Sequence, residues 1–189
     1  VFILYKIYET ERLILKVIDE SYAKQVLDYF NRNREHLKKF DPLRNESFYT
    51  IENRKKALTQ ELIDINSGTQ LRLWIFKKDD TNFRNIIGTI CFSNIVRGYF
   101  QSCHVGYSID YREINKGYIT EVLKKGIEVM FNEYNLHRIE ATVMPNNYSS
   151  LNVLNKLKFQ NEGLSRKYQR INGQWEDHIH MVLLNPLVE

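Results

Sequence analysis

Cysteine is scarce in this chain, and its two copies, Cys91 and Cys103, stand inside apolar runs with no Cys-x-x-Cys spacing. That excludes a disulfide framework and a cysteine-built zinc site, and it makes reduced cytoplasm the expected setting. Long hydrophobic runs are missing too. The longest, Val1 to Tyr5, is too short to span a bilayer and lacks the basic leader and small-residue cleavage site of a signal peptide. Because the chain opens on Val1 instead of Met, a trimmed start or a cloning remnant is expected, and these first residues are set aside. No charge of one sign dominates: 27 Lys and Arg are interspersed with 23 Asp and Glu, for a formal net charge of +4. Without a basic stripe no nucleic-acid partner is expected, although the small excess would steer polyanionic cofactors or acidic substrates. Repeats, low-complexity tracts and linkers are also lacking. What remains is 189 residues, 43% of them hydrophobic, which suits a single domain over residues 1–189 with an ample core.

Periodicity supplies the elements. Thr10 to Ile18 alternates around Leu13 and Leu15 as a strand, and Asp19 is placed to cap a helix carrying Ala23, Val26, Leu27 and Phe30. Asp41-Pro42 breaks the chain before a second helix, Ile51 to Ile65, which Ser67-Gly68 stops. Leu71 to Phe76, Ile86 to Ile95 and Phe100 to Ile109 read as an antiparallel meander. A long amphipathic helix from Gly117 to Tyr134 then leads to a strand, Arg138 to Met144, which the helical connection makes parallel to its predecessor. Leu151, Val153, Leu154 and Leu157 mark a second crossover helix, and Asn172-Gly173 turns a closing hairpin between 163–170 and 175–184. The fold class expected is α/β: a single mixed, mostly antiparallel sheet with crossover helices.

The most telling segment is Asn115-Lys116-Gly117-Tyr118-Ile119-Thr120-Glu121, lying between the strand Cys103 to Ile109 and the long helix. Free amides at a helix start, together with the helix dipole, make an anion cradle that a pyrophosphate fits. Taken alone, Gly117 reads first as an ordinary loop glycine, so other residues must decide.

Those residues carry a resemblance over nearly the whole chain. Thr10-Glu11-Arg12-Leu13, Val105-Gly106-Tyr107 and Lys116-Gly117-Tyr118-Ile119-Thr120-Glu121 come in order, followed by Asn147-Tyr148-Ser149-Ser150 and Lys156-Leu157-Lys158-Phe159. Glu162-Gly163, Ile171-Asn172-Gly173 and Asp177 extend the series. The series resembles the GNAT N-acetyltransferase superfamily, and most of all the branch that acetylates the N-termini of ribosomal proteins. The chain departs from the pattern at several points. Ile114, Gly117 and Ile119 occupy the positions of the usual Gln/Arg, Gly and Gly/Ala of the phosphate turn. Lys158 stands for a glycine, Leu154 for a general-acid tyrosine, and Gln169 for an acidic residue.

The resemblance implies an acetyl-CoA-dependent enzyme, without a metal, that transfers acetyl to an amine by direct attack in a ternary complex. Acetyl-CoA would be the cosubstrate and an α-amino terminus the acceptor, a ribosomal protein being one such. A small amine such as a polyamine or antibiotic is the alternative acceptor, and a non-catalytic CoA-binding module the alternative class. No membrane partner is implied, and a homodimer is a possible assembly. The pantetheine arm would pair with backbone amides of Tyr107, Ser108 and Ile109, and Asn147 would orient it. The pyrophosphate would take the amides of Ile114, Asn115, Lys116, Gly117, Tyr118, Ile119 and Thr120, since amide donation needs no particular side chain. His104, in place of the branch's glutamate, is the candidate general base, with Glu140 a second choice; a hydrogen-bonded strand histidine is an equal reading. An α-amine titrates near roughly 7.7 to 8.0, so even a weak base suffices. Ser150 would protonate the departing thiolate, although serine at a helix start is also a common cap. The acceptor groove is expected to be flanked by Phe48, Tyr49, Tyr168 and Trp175.

Overall fold

The computed structural model describes residues 6–188. Among them the strands are β1 (Ile7–Glu9), β2 (Leu13–Lys16), β3 (Leu71–Lys77), β4 (Gly88–Val96), β5 (Ser102–Ile109), β6 (Arg138–Val143), β7 (Gln160–Ile171) and β8 (Gln174–Leu184). The helices are α1 (Ala23–Leu37), α2 (Ile51–Asn66), α3 (Tyr118–Asn132) and α4 (Tyr148–Lys156). The strands form one sheet in the order β1-β2-β3-β4-β5-β6-β8-β7. The first five make an antiparallel meander, β5 and β6 are parallel, and β8 lies antiparallel between β6 and β7. This is the expected mixed α/β sheet with crossover helices. The run Val1 to Tyr5 lies outside the described residues.

The differences are local. The expected first strand is a short hairpin, because Thr10 donates its amide to Leu13 O and turns β1 back along β2. Asp19 caps a short 3-10 turn, accepting from the Ser21 amide, and that turn feeds α1. At the far edge Asn172 and Gly173 have φ of 43° and 85°, the paired positive angles of a two-residue hairpin turn.

Alternation along the strands sorts side chains onto two faces. One face carries Trp74, Phe76 and Ile86, which pack with Tyr29 and Phe30 of α1 and Leu58 of α2. The other carries Leu13, Leu15, Ile90, Phe92, Val105 and Ile139 beneath Val122 and Leu123 of α3 and Leu154 of α4. Gly126 lets α3 come close, since a Cβ there would meet the Phe92 ring at 2.7 Å.

α4 ends in a Schellman motif: Lys158 N bonds Asn155 O, Phe159 N bonds Leu154 O, and buried Phe159 and Leu154 belong to the same core. The motif needs a left-handed residue, and Lys158 adopts φ 68°. Lys158→Gly should therefore stabilise the fold by about 1 kcal/mol, the left-handed penalty less glycine's extra unfolded-state entropy. The check is a higher urea midpoint with an unchanged slope.

Candidate active site

β5 and β6 pair only at Ser102–Arg138, Cys103–Ile139 and His104–Glu140. Beyond His104 each strand runs on without the other, and the sheet opens between them. On its far side β5 stays paired with β4 as far as Ile109. Asp110 N donates to Ile87 O, and the Ser108 carbonyl faces Gly88 so closely that a Cβ there would meet it at 2.5 Å. Backbone polarity alternates along a strand, so the N–H and C=O of Val105, Tyr107 and Ile109 turn to the opening. Tyr107 and Ile109 therefore present backbone to a ligand there, whereas the Ser108 backbone belongs to β4, a correction to the expected trio. The opening is a cleft of about 900 Å³ that passes through the sheet. On one side it is lined by Ile114 to Thr120 except Lys116, with Asn147 and Ser150; on the other by His36, Asp41, Thr142, Gln169 and His178.

Three residues from one turn of α1 hold the free end of β5. Tyr29 and Ser108 share a hydroxyl bond of 2.9 Å, Arg32 Nε donates to Asp110 at 2.5 Å, and Asn33 Oδ1 accepts from the Tyr111 amide at 2.9 Å. Asp110 is fully buried. Desolvation pushes its carboxyl upward, but donors from Arg112, side chain and backbone, and from Arg32 outweigh this and hold it well below the usual carboxylate range.

After this clamp the chain turns at Glu113 N to Asp110 O, and Asn115 and Gly117 take φ of 61° and 78° before α3 begins. The amides from Ile114 to Thr120 find no acceptor among the described residues, the first α3 bond being Glu121 N to Gly117 O. A stretch of solvent-facing amides at a helix start is an anion site. Tyr118 and Ile119 pack against the main core, and both also line the cleft. Lys116 pairs with Glu113 at 2.7 Å, so the cradle is backbone more than side chain. The Thr-Glu-Arg motif seats α3: Thr10 and Arg12 both bond Glu121, and Arg12 donates to Lys116 O at 2.9 Å.

At α4, Asn147 is the cap, its Oδ1 accepting from the Ser150 amide at 3.2 Å and the Ser149 hydroxyl at 3.0 Å. That frees the Ser150 hydroxyl, which lies 2.6 Å from the Tyr107 hydroxyl. Burial pushes the Tyr107 phenol up to about 12, against a smaller downward pull from Ser150. Tyr107 thus stays protonated at neutral pH and can act as donor to Ser150. The sequence offers Tyr107 for its backbone, as a pantetheine partner, and not for its hydroxyl; the hydroxyl pair needs the α4 geometry to be seen.

His104 sits at the last paired step of β5, not on the cleft wall, and its Nδ1 is buried without a partner among the described residues. Glu140 accepts from Arg138 at 3.0 Å, which also binds Glu162. Of the aromatic residues expected at the groove, Phe48 is packed between Arg44 and Arg54, and Tyr49 stacks under Arg34. Trp175 is largely exposed, and Tyr168 packs on His178 and His180. Neither the helices nor any His/Cys/Asp/Glu group among the described residues suits a membrane span or a metal.

A parallel strand pair that opens onto an unbonded amide turn at a helix start defines the acyl-CoA N-acyltransferases. Residues 12–160 match the acetyltransferase (GNAT) domain, and the chain belongs to that family. It is 34% identical over 177 residues to the [ribosomal protein uS5]-alanine N-acetyltransferase of Escherichia coli, covering 94% of this chain and 90% of that protein. The crystal structure of the ribosomal-protein-S5-alanine acetyltransferase from Vibrio fischeri superimposes with a TM-score of 0.89 at 38% identity, over 96% of this chain and 97% of that one. Mycobacterium smegmatis RimJ in complex with CoA-disulfide shares the fold, with a TM-score of 0.88 at 22% identity over 96% and 88%.

Asp110→Asn should lower the unfolding free energy by about 3 kcal/mol at pH 7, because it leaves two arginines facing a neutral amide. The folded carboxyl titrates below its unfolded value. The difference from wild type should therefore be complete above roughly pH 4 and shrink as pH falls towards the folded value. Urea titrations at pH 7 and in acid measure both.

Proposed function

We propose that this enzyme acetylates the α-amino group of a protein N-terminus, that of a ribosomal protein, by direct attack on acetyl-CoA in a ternary complex. The observation that carries this reading is the cleft through the sheet, with the amide cradle at one end and an open mouth at the other. Pyrophosphate fits the amides of Ile114 to Thr120, pantetheine fits the backbone of Tyr107 and Ile109 with Asn147 beside it, and the thioester would lie in the opening at the level of the Tyr107–Ser150 hydroxyl pair. The open mouth, bounded by the end of α1 and the β7–β8 hairpin, admits a chain terminus. The uS5-alanine relatives favour a ribosomal acceptor over a small amine. The reading takes residues 1–189 as one domain working in the cytoplasm without nucleic acid or membrane, with a homodimer as a possible assembly.

Tyr107 donates to Ser150 Oγ, which leaves the Ser150 proton free to point into the cleft. The departing sulfur takes that proton as the C–S bond breaks. Four results are expected. Calorimetry should show acetyl-CoA binding, and thiol release should appear with an Ala-initiated ribosomal peptide but not with the same peptide N-terminally blocked. Ser150→Ala should lower kcat by about 100-fold with little change in acetyl-CoA affinity. Tyr107→Phe should lower it by about fivefold, the worth of one hydrogen bond. Tight binding with no turnover on any peptide would sink the assignment.

A further inference from the structure

We propose that His178, through Nε2, is the base that takes the proton from the acceptor ammonium, an inference that rests on the acetyl transfer proposed above. His178 is almost wholly buried, and its Nδ1 lies 3.0 Å from the backbone carbonyl of Glu176. A carbonyl oxygen only accepts, so Nδ1 carries the hydrogen and Nε2 keeps the lone pair. His178 lines the cleft.

Register places it at the reacting level. His104 pairs with Glu140, so four residues on, Ser108 is level with Met144; Val143 pairs with Ile179, so Met144 is level with His178. Strand alternation puts the Ser108 and His178 side chains on the same face of the sheet, across the opening from each other. His104 shares that face but lies four residues back along β5, about 13 Å at the usual rise of ~3.3 Å, where the strands are still paired.

The titratable and charged groups around this end of the cleft are His36 and Asp41 from α1 and its following loop, Glu113 from the amide turn, and Lys156 from α4. From β7 comes Tyr168, whose ring packs on both His178 and His180. Asp41 is held by Arg44 at 3.0 Å, and Glu113 by Lys77 and Lys116, each at 2.7 Å. His36, half-buried on the last turn of α1, has no hydrogen-bond partner among the described residues to set its tautomer. His178 is thus the cleft imidazole whose basic nitrogen the backbone has already oriented.

The proton balance is complete. Nε2 removes one proton from the ammonium and later yields it to solvent. The neutral amine attacks the thioester carbon, forming the C–N bond. As the C–S bond breaks, the sulfur takes a proton from Ser150, which regains one from the attacking nitrogen. The products are the acetamide and CoA thiol.

The test compares wild type, His178→Asn, His36→Asn and His104→Asn with a ribosomal peptide acceptor from pH 6 to pH 9. Asparagine retains a donor for Glu176 O and removes Nε2. His178→Asn is expected to lose ~100-fold in kcat/KM at pH 7 with unchanged acetyl-CoA affinity and melting temperature. The loss should shrink as pH rises past roughly 7.7 to 8.0, where the amine deprotonates unaided. A purely structural role would lower the rate equally at every pH and would overturn the proposal, as would a larger pH-dependent loss in His36→Asn or His104→Asn. Nitrogen NMR of the imidazole gives a second readout: an Nε2–H tautomer also overturns it. If wild type binds acetyl-CoA but acetylates no peptide, the function proposed above fails and the base role fails with it. Wild-type turnover with an active His178→Asn sinks the base alone.

Discussion

The site depends on keeping β5 extended after it has lost a neighbour. An interior strand that parts from its partner exposes a row of backbone groups, and nothing in the strand itself prevents it from drifting back or fraying. Here the restraint comes from outside the sheet. Tyr29, Arg32 and Asn33 occupy one turn of α1 and grip Ser108, Asp110 and Tyr111 in succession. Burying the Asp110 carboxylate is costly by itself, and the donors around it are what make the arrangement tolerable. α1 thereby fixes the width of the cleft and the starting point of the amide turn together, and Thr10 and Arg12 fix the turn's other end through Glu121.

Much of this could be read from residue patterns. The meander, the parallel step after α3 and the Asn-Gly hairpin follow from period, capping and turn chemistry, and each appears where those rules put it. The amide turn was legible from the motifs around it, since Gly117 alone suits an ordinary loop. What could not be read were contacts between distant segments. The strand before Leu13 escaped notice because Ile7 to Glu9 is too short to show a period. Lys158 looked like a departure that could remove a positive φ, yet the helix end imposes that φ on lysine. His178 gave no signal, since an alternating strand with His178 and His180 is unremarkable until register sets it opposite Ser108. His104, prominent by motif position, proved to lie where β5 is still paired.

The two faces of the sheet divide the chemistry. In the proposed reaction the acceptor approaches on the α1 side, where the walls carry His36, His178 and Asp41. The sulfur would depart towards α4, which carries a capped helix start and the Tyr107–Ser150 hydroxyl pair. On that reading the ammonium gives its first proton to one face, and the sulfur receives its proton from the other. An acyl group held in the gap would be reached from both sides at once, as the proposed direct transfer requires.

The amide turn has a consequence for how this enzyme can diverge. A ligand held by main-chain donors constrains dihedral angles, not side chains. Asn115 and Gly117, with their left-handed geometry, are the positions least free to vary, while the side chains of Ile114 and Lys116 would be free to change where the turn holds the cofactor by its amides, as proposed. Members of such a lineage would lose the recognisable lettering of the motif long before they lose its grip, and kinship among them is better judged by backbone shape than by consensus.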